Sequence, residues 1–308
     1  MSRSEPHSNP SPSRSPLHEA DLENVIANMT AHIRNEYENH FGVFKPGLAE
    51  KVAVEYADIR GNANWRFDLI QQYFPTAKRI LDLASGFGTA LWHGQLRGYD
   101  MVGLEPAIEK QILARQLLLA HQCPPGWGRH LASGLGENLP FKANSFDVVT
   151  SYQTLEHVQN PKAVLRAMIG VTREGGGIHL RCPDYSGTFE GHYLLPWLPL
   201  LPRPIANLWL LINQRPKSGL ESITYVTAPR ILKWLSEIQT ETPGLVLSIL
   251  ALEHERFKAS LKSRGLPSLK ALYSLYCLRR FFLTLFRQEK ALHILIQIRK
   301  QSINGVQL

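Results

Sequence analysis

The chain has 308 residues, 44% of them hydrophobic and 19% charged, which excludes a fibrous or wholly disordered protein and leaves room for a full α/β core. A formal charge of +8 and an isoelectric point near 9.4 suit an anionic partner such as a membrane surface, a phosphorylated substrate or nucleic acid, and equally suit a surface rich in lysine and arginine with no specific partner. Cys123, Cys182 and Cys277 share no close ligand spacing, which argues against a cysteine metal cluster and fits free thiols in a reducing compartment.

Residues 1–20 form a Ser/Pro-rich, low-complexity tail that lacks the apolar core of a signal peptide and is expected to be disordered. Residues 21–78 read as N-terminal helices covering the site. Leu22, Val25, Ile26 and Met29 recur at helix spacing, Pro46-Gly47 breaks the run, Ala49 to Ile59 resumes it, and Asn62 to Phe74 ends at Pro75. Tyr56, Arg60, Asn62 and Asn64 are candidate contacts there, with a solvated helix end as the plainer reading of each.

Residues 79–88, Arg-Ile-Leu-Asp-Leu-Ala-Ser-Gly-Phe-Gly, read as a buried strand running into a glycine turn, with Thr89 to Leu96 as the following helix. Such a unit sets free backbone N–H groups beside a ligand. A dinucleotide turn in this register would need glycine at 84, 86 and 89, where the chain has Ala84, Gly86 and Thr89. The carboxylate Asp82 lies inside the strand instead. Here the sequence resembles the class I S-adenosylmethionine-dependent methyltransferases, whose first motif is an apolar run, an acid and a G-x-G-x-G turn; Ala84 departs from its first glycine. The resemblance implies a Rossmann-like domain over 79–308, with a seven-stranded, mostly parallel sheet, helices on both faces, and helical insertions after strands five and six.

The second strand, Asp100 to Leu104, ends at Glu105, where the family binds the cofactor ribose. Ala107 to His121 is a helix and Arg129 to Ser133 a short third strand. Gly136-Glu137-Asn138-Leu139-Pro140-Phe141 resembles the family's adenine-bordering loop, with Leu135 where an acid often stands. Val148 to Tyr152 is strand four, and Gln153-Thr-Leu-Glu156-His157 follows at its carboxyl end. The resemblance thus puts S-adenosylmethionine against Asp82, Ala84, Ser85, Gly86, Gly88, Glu105, Pro106, Gly136, Glu137 and Gln153. Asn160-Pro161 opens a helix to Val171, Glu174-Gly-Gly-Gly177 is a turn, and Ile178 to Cys182 is strand five.

The first insertion, 184–227, would form a lid. Its Phe189-Glu-Gly-His-Tyr-Leu-Leu-Pro-Trp segment resembles one in uncharacterised bacterial methyltransferases, some near surface-glycan genes. Tyr193 to Ile212 is almost wholly apolar, but Pro196, Pro199, Pro202 and Pro204 forbid a continuous spanning helix. Thr227 to Glu237 reads as a helix, Leu245 to Leu252 as strand six and Ala291 to Arg299 as strand seven. Between these strands, 258–290 interleaves basic residues with Tyr273, Tyr276, Phe281, Phe282 and Phe286. This segment could lie on an anionic membrane or pack on the domain, and no nucleic-acid motif accompanies it.

A sulfonium methyl is already activated, so the enzyme must align a nucleophile and, for a hydroxyl, remove a proton. His157, His192 and Asp184 are the candidate bases, and a scaffold role is the plainer reading of His157. Some RNA 3′-end 2′-O-methyltransferases and ubiquinone-pathway O-methyltransferases carry a Glu-x-x-Glu-His turn that binds a divalent ion. Here Gln153 replaces the first carboxylate, which weakens a hard-metal site, so no metal is expected. The expected function is methyl transfer to a small molecule, sugar or lipid-linked glycan, in the cytoplasm or at the inner face of the membrane. The alternatives are an RNA methyltransferase and a catalytically silent cofactor-binding module.

Overall fold

The computed structural model describes residues 16–61, 64–254 and 291–300. Residues 1–15, Asn62, the basic aromatic segment 258–290 and Cys277 lie outside the described residues.

The sheet has seven strands: β1 (Arg79–Leu83), β2 (Asp100–Leu104), β3 (Leu131–Ala132), β4 (Phe146–Tyr152), β5 (Thr172–Cys182), β8 (Leu245–His254) and β9 (Leu292–Lys300). Their order is β3-β2-β1-β4-β5-β9-β8, and only β9 runs antiparallel to its neighbours. The central strands read as continuous apolar runs because both faces are covered. Alternation sends Leu81, Leu83 and Val149 to one core and Ile80 and Val148 to the other. The first core lies under α6 (Pro161–Val171) and α9 (Ala228–Glu241). The second lies under α1 (Pro16–Asn35), α2 (Leu48–Ala57), α3 (Asn64–Tyr73), α4 (Thr89–Leu96) and α5 (Ile108–Ala120).

Caps set several helix starts. The Asn160 side chain accepts the Ala163 N–H at 3.0 Å ahead of Pro161, and Thr227 accepts the Arg230 N–H at 3.4 Å. The third strand is shorter than its sequence pattern suggests. Pro124 and Pro125 start a 3₁₀ turn that runs to His130, leaving only Leu131 and Ala132 to pair. The expected glycine turn at 174–177 falls within β5, where the β4 pairing jumps from Thr172 to Gly177. The first helix also ends earlier than Pro46. A π-helical turn, Glu36–His40, releases the chain so that Phe41 and Val43 bury against the insertion after β5.

That insertion is not only helical. It holds a hairpin, β6 (Phe189–Glu190) with β7 (Leu195–Pro196), then α7 (Arg203–Ile212) and α8 (Ser218–Glu221). Its own small core joins Tyr185, Tyr193, Trp197, Leu201, Leu210 and Leu220 to Phe41. The Arg203 guanidinium ties it together by donating to the Leu220 and Ile223 carbonyls. Pro204 in the first turn of α7 costs no helical bond, so the helix starts at Arg203, after Pro196, Pro199 and Pro202. Among the described residues no helix is long and apolar enough to cross a membrane.

Candidate active site

In an open α/β sheet, ligands bind over the carboxyl ends of the strands where the strand order reverses. Here that point lies between β1 and β4. A cleft of about 1120 Å³ opens there. Its walls include the turn after β1, the end of β2, the loop after β4, the opening of the insertion, and Tyr37, His40, Phe41 and Tyr56 from the N-terminal segment.

The turn after β1 is built from backbone that lacks steric freedom for ordinary side chains. Gly86 and Gly88 have φ of 56° and 77°, and a side chain at Gly88 would meet Trp92 Nε1 at 2.6 Å. Space over Gly86 is open, so a ligand can approach its backbone closely. Ala84 also has a positive φ, 58°, the conformation a glycine would take without strain. The turn is closed by Gly88 N–H donating to Ser85 O at 2.9 Å and by Ser85 N–H donating to Leu104 O at 3.0 Å. The Ser85 hydroxyl is buried with no hydrogen-bond partner.

Asp82 is buried, and its Oδ1 accepts the Thr150 hydroxyl at 2.8 Å, linking β1 to β4. Burial pushes its carboxyl above the usual carboxylate range, against the pull of the Arg66 charge and the Thr150 bond. Glu105, also buried, accepts the Gly86 N–H at 2.8 Å through Oε2 and the Ala107 N–H at 3.0 Å through Oε1. Pro106 follows it in the cleft wall. Gly136 and the exposed Leu135 border the same space. Glu137 also lines the cleft, but its Oε1 accepts the Gln159 and Asn160 N–H groups at 3.2 and 3.4 Å and so holds the entry to α6. Gln153 sits at φ 54° with its N–H donated to Arg181 O at 2.7 Å.

The same cleft is lined by His157 and His192. His157 Nε2 and His192 Nε2 face each other at 3.1 Å. His192 stacks on Phe41, with ring centroids 5.2 Å apart, and its Nδ1 donates to Glu190 Oε1 at 2.7 Å. Burial opposes protonation of His192, but the Glu190 hydrogen bond and charge outweigh it and hold its pKa above the ordinary value. Burial and the neighbouring His192 hold His157 well below its ordinary value. Glu190 itself is buried and also accepts the Tyr193 N–H at 2.6 Å. Glu156, fully buried at 0% exposure, has no hydrogen-bond partner on either carboxylate oxygen, and burial raises its pKa to about 7. Asp184 lines the cleft, but its Oδ1 accepts the Ser186 N–H at 2.9 Å and the Ser186 hydroxyl, so it shapes the turn that opens the insertion.

Of the N-terminal candidates, Tyr56 lines the cleft, whereas Asn64 is spent on Arg60 O and Arg97. Sequence reasoning passed over Arg66 and Tyr152, which both line the cleft with the Arg66 guanidinium 4.0 Å above the Tyr152 ring. It also passed over Glu190, Phe41 and His40. The x-Glu-Gly-His run was a usable signal for Glu190, because a carboxylate two residues before a histidine can reach its ring.

Residues 81–180 match the family described as methyltransferase domain. An uncharacterized methyltransferase of Mycobacterium sp. (strain JLS) is 30% identical over 149 residues, 48% of this chain and 53% of that relative. A ubiquinone biosynthesis O-methyltransferase of Dechloromonas aromatica (strain RCB) is 30% identical over 116 residues, 37% of this chain and 49% of the relative. The chain spans about half the length of the curated relatives it matches. A solved S-adenosylmethionine-dependent methyltransferase from Mesorhizobium loti is 16% identical with a TM-score of 0.47, covering 77% of this chain and 98% of its own. With the sequence match, the strand order and the glycine turn in hand, residues 81–180 belong to a class I S-adenosylmethionine-dependent methyltransferase domain.

Proposed function

We propose that this protein transfers the methyl group of S-adenosylmethionine to a hydroxyl oxygen, with a lipid-linked glycan favoured over a free sugar or other small molecule. The observation that carries the reading is a single cleft lined both by the glycine turn and Glu105 and by the His157–His192 pair. Asp82, Gly86, Glu105 and the Gly136 backbone would hold the cofactor, which supplies an activated methyl group. The acceptor oxygen forms its bond to the methyl carbon as the S–CH₃ bond breaks, and the electron pair stays on sulfur. The hydroxyl proton passes to the histidine pair. A positioned base contributes ~10²- to 10⁴-fold, and alignment of the reacting atoms supplies much of the rest.

The preference for a lipid-linked acceptor rests on the insertion. Leu198, Leu200, Ile205, Leu208, Leu211 and Ile212 are each at least 50% exposed, the last four on α7, whose buried residues are Ala206 and Leu210. From Gly191 to Leu220 the sequence has no acid and carries Arg203, Arg215 and Lys217, which suits an anionic bilayer.

The test is calorimetric titration with S-adenosylmethionine and S-adenosylhomocysteine, followed by labelled-methyl transfer to lipid-linked sugars in vesicles. Binding with transfer supports the proposal. Binding without transfer to any hydroxyl acceptor favours the silent cofactor-binding module, and no binding of either nucleoside overturns the reading. Incorporation into RNA that falls steeply with salt would favour the RNA alternative.

A further inference from the structure

We propose that Glu156, His157 and His192 form a binding site for a divalent first-row transition cation of the zinc class. Among the described residues these three offer ligand atoms that all lie within 4.8 Å of one another. The geometry of each donor points the same way.

His192 donates its Nδ1–H to the buried Glu190 carboxylate at 2.7 Å, which fixes the tautomer and turns the Nε2 lone pair outward. A carboxylate behind a histidine in this way orients and strengthens it as a metal ligand. That lone pair meets His157 Nε2 at 3.1 Å. Two imidazole nitrogens so placed need something electropositive between them, either one shared proton or a cation.

Glu156 decides between the two. It is completely buried, its Oε1 lies 3.9 Å from His157 Nε2, and neither oxygen has a hydrogen-bond partner. With only a shared proton between the histidines, the buried carboxylate keeps its 3.9 Å ion pair to His157 but no side-chain hydrogen-bond partner on either oxygen, and a buried polar group so poorly satisfied is costly. A dication answers all three donors at once. Tetrahedral coordination with bonds of ~2.0–2.1 Å separates donors by roughly 3.3 Å, and the observed 3.1 and 3.9 Å lie on either side of that spacing.

Two imidazoles and one carboxylate are a borderline donor set, suited to zinc rather than to magnesium or calcium. The amide at Gln153, which weighs against a site read from the local turn alone, is not one of the donors. His192, on the insertion, supplies the third ligand instead. Three protein ligands leave an open position, and both histidines face the cleft.

This deepens the methyl-transfer reading and rests on it for its consequence. An acceptor hydroxyl at the open position would have its pKa lowered and release its proton to solvent water. Its oxygen would then form the O–CH₃ bond as the S–CH₃ bond breaks with the electron pair on sulfur. In the loaded protein the histidines hold the cation rather than receive the proton.

The test is titration of the chelator-stripped full chain with Zn²⁺ by calorimetry and with Co²⁺ by visible absorption, both without nucleoside or acceptor. One ion per chain with a tetrahedral Co²⁺ spectrum is expected. Glu190→Gln should weaken binding by ~10- to 100-fold, and Glu156→Gln and His192→Ala should weaken it further. Glu156→Gln is isosteric, and an unchanged circular dichroism spectrum would show that it folds. Failure to take up either ion, or uptake unaffected by Glu156→Gln and His192→Ala, overturns the site. A chain that binds the ion but no S-adenosylmethionine would overturn the methyl-transfer reading and leave the site standing. Undiminished methyl transfer in excess chelator would overturn the ion's part in catalysis.

Discussion

Glu105 reaches from the end of β2 to the glycine turn after β1, where its Oε2 accepts the Gly86 N–H at 2.8 Å. Its other oxygen accepts the Ala107 N–H at 3.0 Å at the entry to α5. One buried carboxylate therefore fixes both backbone segments that border the glycine turn, and it keeps lone pairs for ligand hydroxyls. Glu105→Ala should weaken S-adenosylmethionine binding by ~1.5–3 kcal/mol, the scale of hydrogen bonds to a charged group. Calorimetric affinity within error of the parent chain would remove Glu105 from the cofactor site.

The same turn makes a contrast between two neighbouring substitutions. Gly88 has φ 77° and no room for a side chain, because Trp92 is fully buried against it. Gly88→Ala combines left-handed strain of ~1–2 kcal/mol with overpacking of ~1–3 kcal/mol. Ala84→Gly at φ 58° releases the strain while adding ~0.4–1 kcal/mol of unfolded-chain entropy. Denaturant unfolding should show Gly88→Ala destabilised by ~2–5 kcal/mol and Ala84→Gly within ~1 kcal/mol of the parent. Equal losses at both positions would refute the assigned backbone.

Acid should destabilise the fold through His179. This ring is fully buried on β5, and its Nδ1 accepts the Tyr152 hydroxyl at 2.7 Å. Burial, then the nearby His293, Arg66 and Arg181, hold it well below the ordinary 6.5. As pH falls through 6.5 the unfolded chain takes up a proton that the native chain refuses. The unfolded state then binds more protons, so stability drops by up to ~1.4 kcal/mol per pH unit until the native pKa is reached. His179→Gln should therefore lose less stability than the parent between about pH 7.5 and about pH 5.5 in urea titrations. Parallel losses in the two proteins would show that His179 does not carry the effect.

The fold was legible where local pattern and tertiary need agree. The apolar run of Ile80 to Leu83, the glycines after it and the acid at Glu105 all report one strand–turn–helix unit and its neighbour, and these occupy the central sheet. The positions missed depend on contacts between distant segments. Glu190 joins the histidine pair through His192, which itself meets His157 across 35 residues, and Arg66 meets Tyr152 from a helix that precedes the sheet. The early end of α1 was hidden for the same reason, since only the insertion's core explains why Phe41 must leave the helix.

The exposed aliphatic residues of the insertion should bind anionic membranes. In α7 the buried side is Ala206 and Leu210, while Leu208 and Leu211 are 56% and 66% exposed, so substituting the latter pair leaves the core intact. Each leucine inserted into the bilayer interface contributes roughly 1 kcal/mol for the part now in water, and introduced aspartates add repulsion from anionic headgroups. Leu208→Asp with Leu211→Asp should thus lower partitioning onto phosphatidylglycerol vesicles by at least ~30-fold, with little change in denaturant midpoint. Salt should weaken the parent chain's binding only in part, because the aliphatic contact is not screened whereas the attraction of Arg215 and Lys217 is. Co-sedimentation with phosphatidylglycerol and phosphatidylcholine vesicles measures both effects. Binding that survives the double substitution but disappears on charge reversal within 258–290 would assign the contact to that segment and overturn the role given to α7.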